Sequence, residues 1–280
     1  MLKIAMTGGD GLVGSRIVEL LNQDFLFTNF RQAIMDITNK ELVDESLDNA
    51  DFDIFLHLAA YTNVQGAETN SDLAMRINRD GTKNLYDAVT RKGKKFIYIS
   101  TDFVFDGENP TYYEDSTPNP KGEYAKSKYE GEKIVSGSAM IVRISYPYRA
   151  EYDPKKDFVR TFKHLLEQKK KLTMVTDSLM TPTFIDDIAF GLKHLMQNYS
   201  PQIFHLVGGS SISPYDATIM IADRFNLDKS LIGKTTYDEF MKGKAASPKL
   251  GVIKSKKNNF WKMRTFEEGL IEIEKQSLKI

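Results

Sequence analysis

Thr7-Gly8-Gly9-Asp10-Gly11-Leu12-Val13-Gly14 follows directly on the apolar run Leu2 to Met6, and Ile17, Leu20 and Leu21 then recur at helical spacing. A strand that passes through spaced glycines into a helix is the entry to a dinucleotide-binding βαβ unit. Gly8 suits the tight turn and Gly11 lets the backbone come close to a pyrophosphate, while Gly14 lets helix and strand pack. The helix N-terminus, at Leu12 and Val13, faces the anion with its free N–H groups.

The same alternation continues downstream. Apolar runs at Phe25 to Phe30, Phe52 to Leu58, Phe96 to Ser100 and Met140 to Ser145 are separated by helical patterns at Asn39 to Leu47, Asp72 to Arg91 and Tyr124 to Ser136. Near-continuous apolar runs fit strands buried on both faces, so the expected fold is α/β, a doubly wound parallel sheet of Rossmann type. Residues 1–145 form the expected dinucleotide-binding domain. Beyond Tyr146 the pattern turns irregular, but Ile185 to Gln197 reads as a helix and Ile203 to Val207 as a strand, so 184–207 is expected to return to the first domain. A smaller C-terminal substrate-binding lobe is left to 146–183 and 208–280, with the tail after Ser213 expected as short helices and loops.

Composition removes several classes of function. The 38 basic and 38 acidic residues cancel, so no nucleic-acid footprint is expected, and Lys169-Lys170-Lys171 and Lys254 to Lys257 read as solvated surface. Without cysteine there is no disulfide framework or thiolate chemistry. His57, His164, His194 and His205 are too scattered for metal-ligand spacing, so no metal site is expected. No apolar run approaches a membrane span or a signal peptide, and a soluble, cytoplasmic chain is expected.

The chemistry concentrates later. The strand ending Phe96-Ile97-Tyr98-Ile99 runs into Ser100-Thr101-Asp102, and Tyr124-Ala125-Lys126-Ser127-Lys128 follows. Tyr124 and Lys128 stand one helical turn apart on one face. A phenol with an ordinary pKa of about 10 is a poor base at neutral pH, and a neighbouring ammonium is expected to lower it. The pair could then exchange a proton with a carbonyl or alcohol while Thr101 hydrogen-bonds the same oxygen.

With these residues in view, the chain resembles the extended short-chain dehydrogenase/reductases that act on nucleotide-linked sugars, and within them the dTDP-4-dehydrorhamnose reductase family. The G-x-x-G-x-x-G spacing points to that branch. Ala59-Ala60-Tyr61-Thr62-Asn63-Val64, Ile77-Asn78-Arg79-Asp80-Gly81-Thr82, Ser100 to Gly107, and Tyr124 to Lys128 with Gly131-Glu132 carry the resemblance. It implies a catalytic triad of Thr101, Tyr124 and Lys128, with Lys128 also holding the nicotinamide ribose and Ala59, Ala60 and Tyr61 lining the cofactor. Asp36 matches the adenine-contacting position. Arg31, at the end of the second strand, can pair with a 2′-phosphate where an acidic residue would bind ribose hydroxyls; it favours NADPH and leaves NADH open.

The substrate half departs from the family pattern. Arg143-Ile144-Ser145-Tyr146-Pro147-Tyr148 stands for Arg-Thr-Ser-Trp-Val-Tyr, Asp177 to Thr183 for Asp-Gln-x-Gly-x-Pro-Thr, and Ser247-Pro248 for an Arg-Pro pair. Asp102, Tyr146, Asp177 and Thr183 are the substrate-side candidates that motif alignment supplies. The implied reaction is NADPH-dependent reduction of a 4-keto-6-deoxy sugar on a nucleoside diphosphate, by a monomer or homodimer. A nucleotide-sugar 4-epimerase and a non-catalytic NADP-binding regulatory subunit share these motifs, and the sugar, nucleobase and any use of Mg²⁺ stay open.

Overall fold

The computed structural model describes residues 1–278. β1 (Leu2–Thr7) enters the glycine turn and α1 (Leu12–Leu21); β2 (Phe25–Phe30), α2 (Lys40–Asp48) and β3 (Ile54–His57) follow. Next come α3 (Val64–Thr69), α4 (Ser71–Met75), α5 (Thr82–Arg91), β4 (Lys95–Thr101), α6 (Glu123–Val135) and β5 (Met140–Ile144). The remainder comprises β6 (Pro147–Tyr148), α7 (Phe158–Glu167), β7 (Leu172–Val175), β8 (Thr183–Phe184), α8 (Ile185–Gln197) and β9 (Ile203–His205). α9 (Pro214–Arg224), β10 (Ile232–Thr235), α10 (Tyr237–Met241) and α11 (Phe266–Ser277) complete the chain.

The main sheet has six parallel strands in the order β2-β1-β3-β4-β5-β9. The chain steps outward from β1 to β2 and then back across β1 to β3. That reversal opens a crevice at the carboxyl ends of β1 and β3, where such sheets bind ligands. One face buries Ile4, Met6, Ile97 and Val142 against Ile17 and Leu21 of α1 and Ile185, Ile188 and Leu192 of α8. The opposite face buries Ala5, Phe55, Phe96 and Ile141 against Val43 and Leu47 of α2, Leu85 and Val89 of α5 and Val135 of α6. Both faces are covered, which is why these strands read as unbroken apolar runs.

Two expectations need correction. The single helix expected over Asp72 to Arg91 is α4, a π-helical turn at Arg76–Gly81, and α5, preceded by the unexpected α3. The turn holds Asn78, whose side chain accepts from Tyr61 N at 2.8 Å and donates to Tyr61 O at 3.1 Å and Ser127 Oγ at 2.9 Å. It clamps the loop after β3 against α6, a tertiary demand that helical periodicity does not reveal. The tail also holds more than short helices. α9 is capped by Ser213, and α11 by a reciprocal Thr265–Glu268 capping box. They bury Ala217, Ile221, Phe266 and Leu270 around Tyr148 and Phe184, while β10 pairs in parallel with β7. Among the described residues no helix is long and apolar enough to cross a membrane.

The largest buried side chain is a charged one. Arg143 on β5 donates to Glu132 on α6 at 2.9 and 2.7 Å, with the side chains 1% and 3% exposed. Its guanidinium stands over the Phe105 ring and 3.4 Å from His205 Nε2, and burial pulls that imidazole down to about 4, leaving it neutral. Removing one partner strands the other charge. Glu132→Ala is expected to cost about 3–5 kcal/mol in urea unfolding, and Glu132→Leu with Arg143→Met far less. A single-variant cost below about 1 kcal/mol would show that the pair does not anchor α6.

Candidate active site

Gly8 lies at φ +73°, a conformation that favours glycine, and a Cβ there would stand 2.8 Å from Ala59 N. A Cβ on Gly14 would stand 2.2 Å from Gly8 O, so only glycine allows α1 to start this close to the turn. Gly11 N donates to Gly8 O at 2.9 Å, and Gly11 begins α1 with no side-chain cap and no acidic residue in the first turn. The first-turn N–H groups are left to whatever enters the cleft.

That cleft, ≈ 690 Å³, runs from the glycine turn past the ends of β1, β3 and β4 to β6. Gly8, Gly11, Leu12, Val13, Ala59 and Ala60 line it, as do Arg31 and Asp36 at one end. Arg31 Nε lies 2.8 Å from an Asp10 carboxylate oxygen, with both side chains more than half exposed. Asp36 turns inward on its own loop, accepting from Thr38 N and Oγ1 at 2.9 and 2.8 Å. The expected role of Tyr61 is corrected: it does not line the cleft, because Asn78 grips its backbone and its hydroxyl stands against Gly66.

Thr101, Asp102, Tyr124, Lys128 and Tyr146 meet at the other end. Thr101 ends β4 and its hydroxyl donates to Asp102 Oδ1 at 3.1 Å. Asp102 is almost fully buried and accepts from Ser145 Oγ at 2.7 Å. Burial lifts its carboxyl to about 6, against the pull of the Ser145 and Thr101 hydroxyls. Tyr124, partly open to the cleft, packs edge-on to Phe103 at 5.7 Å between ring centres. Tyr146 sits at φ +39°, a left-handed backbone rare for a bulky residue, and its ring packs on Phe103 and Phe158.

The expected electrostatics of Tyr124 and Lys128 do not hold. The phenol is pushed up to about 12, by burial first and also by the nearby Asp102 carboxylate, with the Thr101 hydroxyl pulling it down. Lys128 donates to Ile99 O at 2.8 Å, 4.1 Å from the centre of the Tyr98 ring. Burial lowers its ammonium to about 7, partly offset by Glu132. Helical spacing placed both residues on one face, but it does not say how far a lysine stem extends. Beneath them His57 joins Thr7 Oγ1 at 2.7 Å to Thr82 Oγ1 at 3.1 Å, and burial pulls it down to about 3, so this buried link is uncharged.

Two substrate-side candidates lie away from the cleft lining. Asp177 pairs with Lys249 at 2.9 Å and accepts from Tyr237 N. Thr183 is fully buried, accepting from Gly208 N at 3.0 Å and donating to Thr181 O at 3.3 Å. Asp177 thus ties the loop after β7 to Lys249 and Tyr237, and Thr183 ties β8 to Gly208; in place of the expected substrate contacts, both make contacts between distant parts of the chain. Ser100, which lines the cleft, and Asn78 behind it stand inside the motifs quoted above, but motif reading gives them no role, and it does not reach Tyr152 and Lys155, which also line the cleft. Aromatic and basic residues in an irregular stretch are the only local mark of those two.

The cleft fits a dinucleotide on the structure's own terms. A glycine cradle leaves no room for a Cβ, a helix opens uncapped, and the buried Ser100 Oγ lines the cleft without a partner among the described residues. A family model described as the RmlD substrate binding domain matches residues 2–278. The dTDP-4-dehydrorhamnose reductase of Aggregatibacter actinomycetemcomitans is 31% identical over 245 residues, 82% of each chain. Methionine adenosyltransferase 2 subunit beta of Bos taurus is 30% identical over 246 residues, 81% of this chain and 73% of that one. A solved dTDP-4-dehydrorhamnose reductase from Bacillus anthracis, in complex with NADP, superposes at a TM-score of 0.91 with 30% identity, covering 98% of this chain and 99% of that one. Since the family match leaves almost none of the described chain unaccounted for, the protein belongs to the RmlD family of extended short-chain dehydrogenase/reductases.

Proposed function

We propose that this protein is an NADPH-preferring oxidoreductase that reduces the 4-keto group of a 4-keto-6-deoxy sugar carried on a nucleoside diphosphate. The observation that carries this reading is the meeting of Thr101 and Tyr124 hydroxyls at the end of a cleft with a dinucleotide cradle at its other wall. Reduced nicotinamide, when bound, supplies the hydride. Tyr124 holds the proton for the carbonyl oxygen, and its raised value keeps the phenol protonated at neutral pH, as reduction requires. Thr101 orients that oxygen by turning its one hydroxyl proton from Asp102 Oδ1 to the carbonyl, while the Phe103 N–H still donates to the Thr101 oxygen and holds it in place. Lys128 would hold the nicotinamide ribose, and Arg31 a 2′-phosphate. Residues 146–183 and the described part of 208–280 form the lobe toward the sugar, with Tyr146 on Phe103 as its nearest wall.

The similarity to the methionine adenosyltransferase subunit favours a second reading, a cofactor-binding regulatory subunit without turnover. One assay separates the two. NADPH oxidation with dTDP-4-keto-6-deoxyhexose is expected to proceed and to fall about 10²–10⁴-fold in Tyr124→Phe. Full activity in that variant would remove Tyr124 from the reaction. Stable cofactor binding without turnover of any sugar nucleotide would favour the regulatory reading.

Arg31→Ala is expected to weaken NADPH binding about tenfold, at about 1.4 kcal/mol per factor of ten, and to leave NADH nearly unchanged. Equal losses for both would place Arg31 away from the 2′-phosphate.

The buried Lys128 gives a stability prediction. Its folded-state value near 7 lies below its ordinary 10.5, so between these values the unfolded chain binds the extra proton. This site's contribution to stability therefore rises with pH across that window, and below about 7 the full cost of the buried ammonium is present. Lys128→Met should raise the melting temperature of the cofactor-free protein by roughly 2–6 °C at pH 6, with a smaller gain at pH 10. A loss of stability at pH 6 would show that the ammonium is well compensated.

A further inference from the structure

The segment that leaves β6 crosses the mouth of the cleft before entering α7. Tyr152 donates its phenol to Asp10 O, in the glycine turn. Lys155 donates to Thr62 Oγ1 at 3.3 Å, in the loop after β3. The two contacts stand on opposite walls, and both side chains line the cleft. The ends of the crossing are tied down. Arg149 is nearly buried, donates to Ser15 Oγ at 2.9 Å and Glu19 at 2.7 Å on α1, and places its guanidinium 5.5 Å from the Tyr152 ring centre. Asp157 caps α7, and Arg160 donates to Asp157 at 2.8 Å and to the carbonyls of Tyr152 and Lys155. Between these anchors Asp153, Pro154 and Lys155 are exposed.

Charge narrows what the crossing is for. The lysines and arginines that line the cleft are Arg31, Lys128 and Lys155. Arg31 follows β2 at one end, and Lys128 is committed to Ile99 O and the Tyr98 ring at the other. Between them lies the uncapped first turn of α1, where a dinucleotide's pyrophosphate would sit. Lys155 is the cation of the crossing segment that lines this middle, and among the described residues its ammonium is held only by a neutral hydroxyl.

We propose that residues 149–157 form a clasp over the pyrophosphate of the bound cofactor, with Lys155 as its cation and Tyr152 as its latch. The proposal rests on the reading of the cleft as a dinucleotide site. A cofactor held this way leaves when the Tyr152–Asp10 and Lys155–Thr62 contacts part, so the clasp sets the rate of exchange as well as affinity.

The pyrophosphate is common to NADPH and NADH, and the 2′-phosphate is not, which makes the test selective. Binding of each is measured by calorimetry and release by stopped-flow, for the wild-type chain, Lys155→Ala, Lys156→Ala and Tyr152→Phe. Lys155→Ala is expected to weaken both cofactors about tenfold, the scale of a lost charge-assisted hydrogen bond. Lys156→Ala removes the same charge one exposed residue away and should change both less than about twofold. Tyr152→Phe should speed release of both several-fold. The clasp is overturned if the two lysine variants behave alike, if Lys155→Ala acts on NADPH alone or only on the KM for sugar nucleotide, or if Tyr152→Phe leaves release unchanged. Wild-type protein that binds neither dinucleotide would overturn the clasp and the cofactor reading beneath it together.

Discussion

The ion pair between Glu132 and Arg143 fixes the helix on which the chemistry is mounted. Tyr124, Lys128 and Glu132 follow one another at four-residue spacing along one face of α6, so whatever holds Glu132 sets the depth and rotation of the other two. Two hydrogen bonds from a buried guanidinium allow little rotation of α6 about its axis or sliding along it. Asn78 adds a second tie, from the π-helical turn to Ser127 on the neighbouring part of the same helix. The proposed proton donor is thereby placed by Glu132, about two turns further along α6, and by Ser127, within one turn of it.

This fixed helix and the strand ends beside it carry features that cost stability. Among the described residues the buried Lys128 ammonium bonds a backbone carbonyl and stands on an aromatic face, while the hydrogen bonds of Glu132 go to Arg143. Ser100 buries a hydroxyl without a partner among the described residues, Asp102 buries a carboxyl, and Tyr146 holds a left-handed backbone. All four residues line the same cleft. Unmet polar groups and strain gathered at one place mark a surface organised for a ligand, and the two covered faces of the sheet offset their cost.

The side of the cleft proposed to face the sugar is organised differently from the side proposed to hold the cofactor. In place of the arginine expected before Pro248 stands Ser247, whose carbonyl accepts from the Tyr237 phenol, while Asp177 is taken up by Lys249 and by the backbone of Tyr237. These contacts tie the segment around α10 to the loop after β7 and leave Tyr146, Phe103 and Tyr124 as the aromatic surface nearest the reacting end. A chain that keeps the reaction centre while replacing charged substrate contacts has room to differ from its relatives in the sugar nucleotide it takes.

The strands of the main sheet and most helices were legible in the sequence because apolar runs and helical spacing are local signals, whereas the short β6, β7, β8 and β10 were not; the glycine turn was legible because few other arrangements need glycine at 8, 11 and 14. α11 was also locally marked, by Thr265 and Glu268, yet its short apolar stripe was passed over among charges. The break at Asn78 had no local mark, since the residue serves a loop 17 positions away. Motif reading named Thr101, Tyr124 and Lys128 together but misjudged the electrostatics between them, because a pKa depends on burial and on where a long side chain ends. The clasp could not be read at all. Tyr152 and Asp10 stand 142 positions apart, and only the folded chain brings the segment after β6 against the glycine turn. The sequence by itself determined the layers, the turn and the kinds of reacting groups, since these follow from local geometry and residue chemistry; the tertiary structure alone decided charge states, cleft walls and the strap across them, since these depend on which distant groups exclude water from one another.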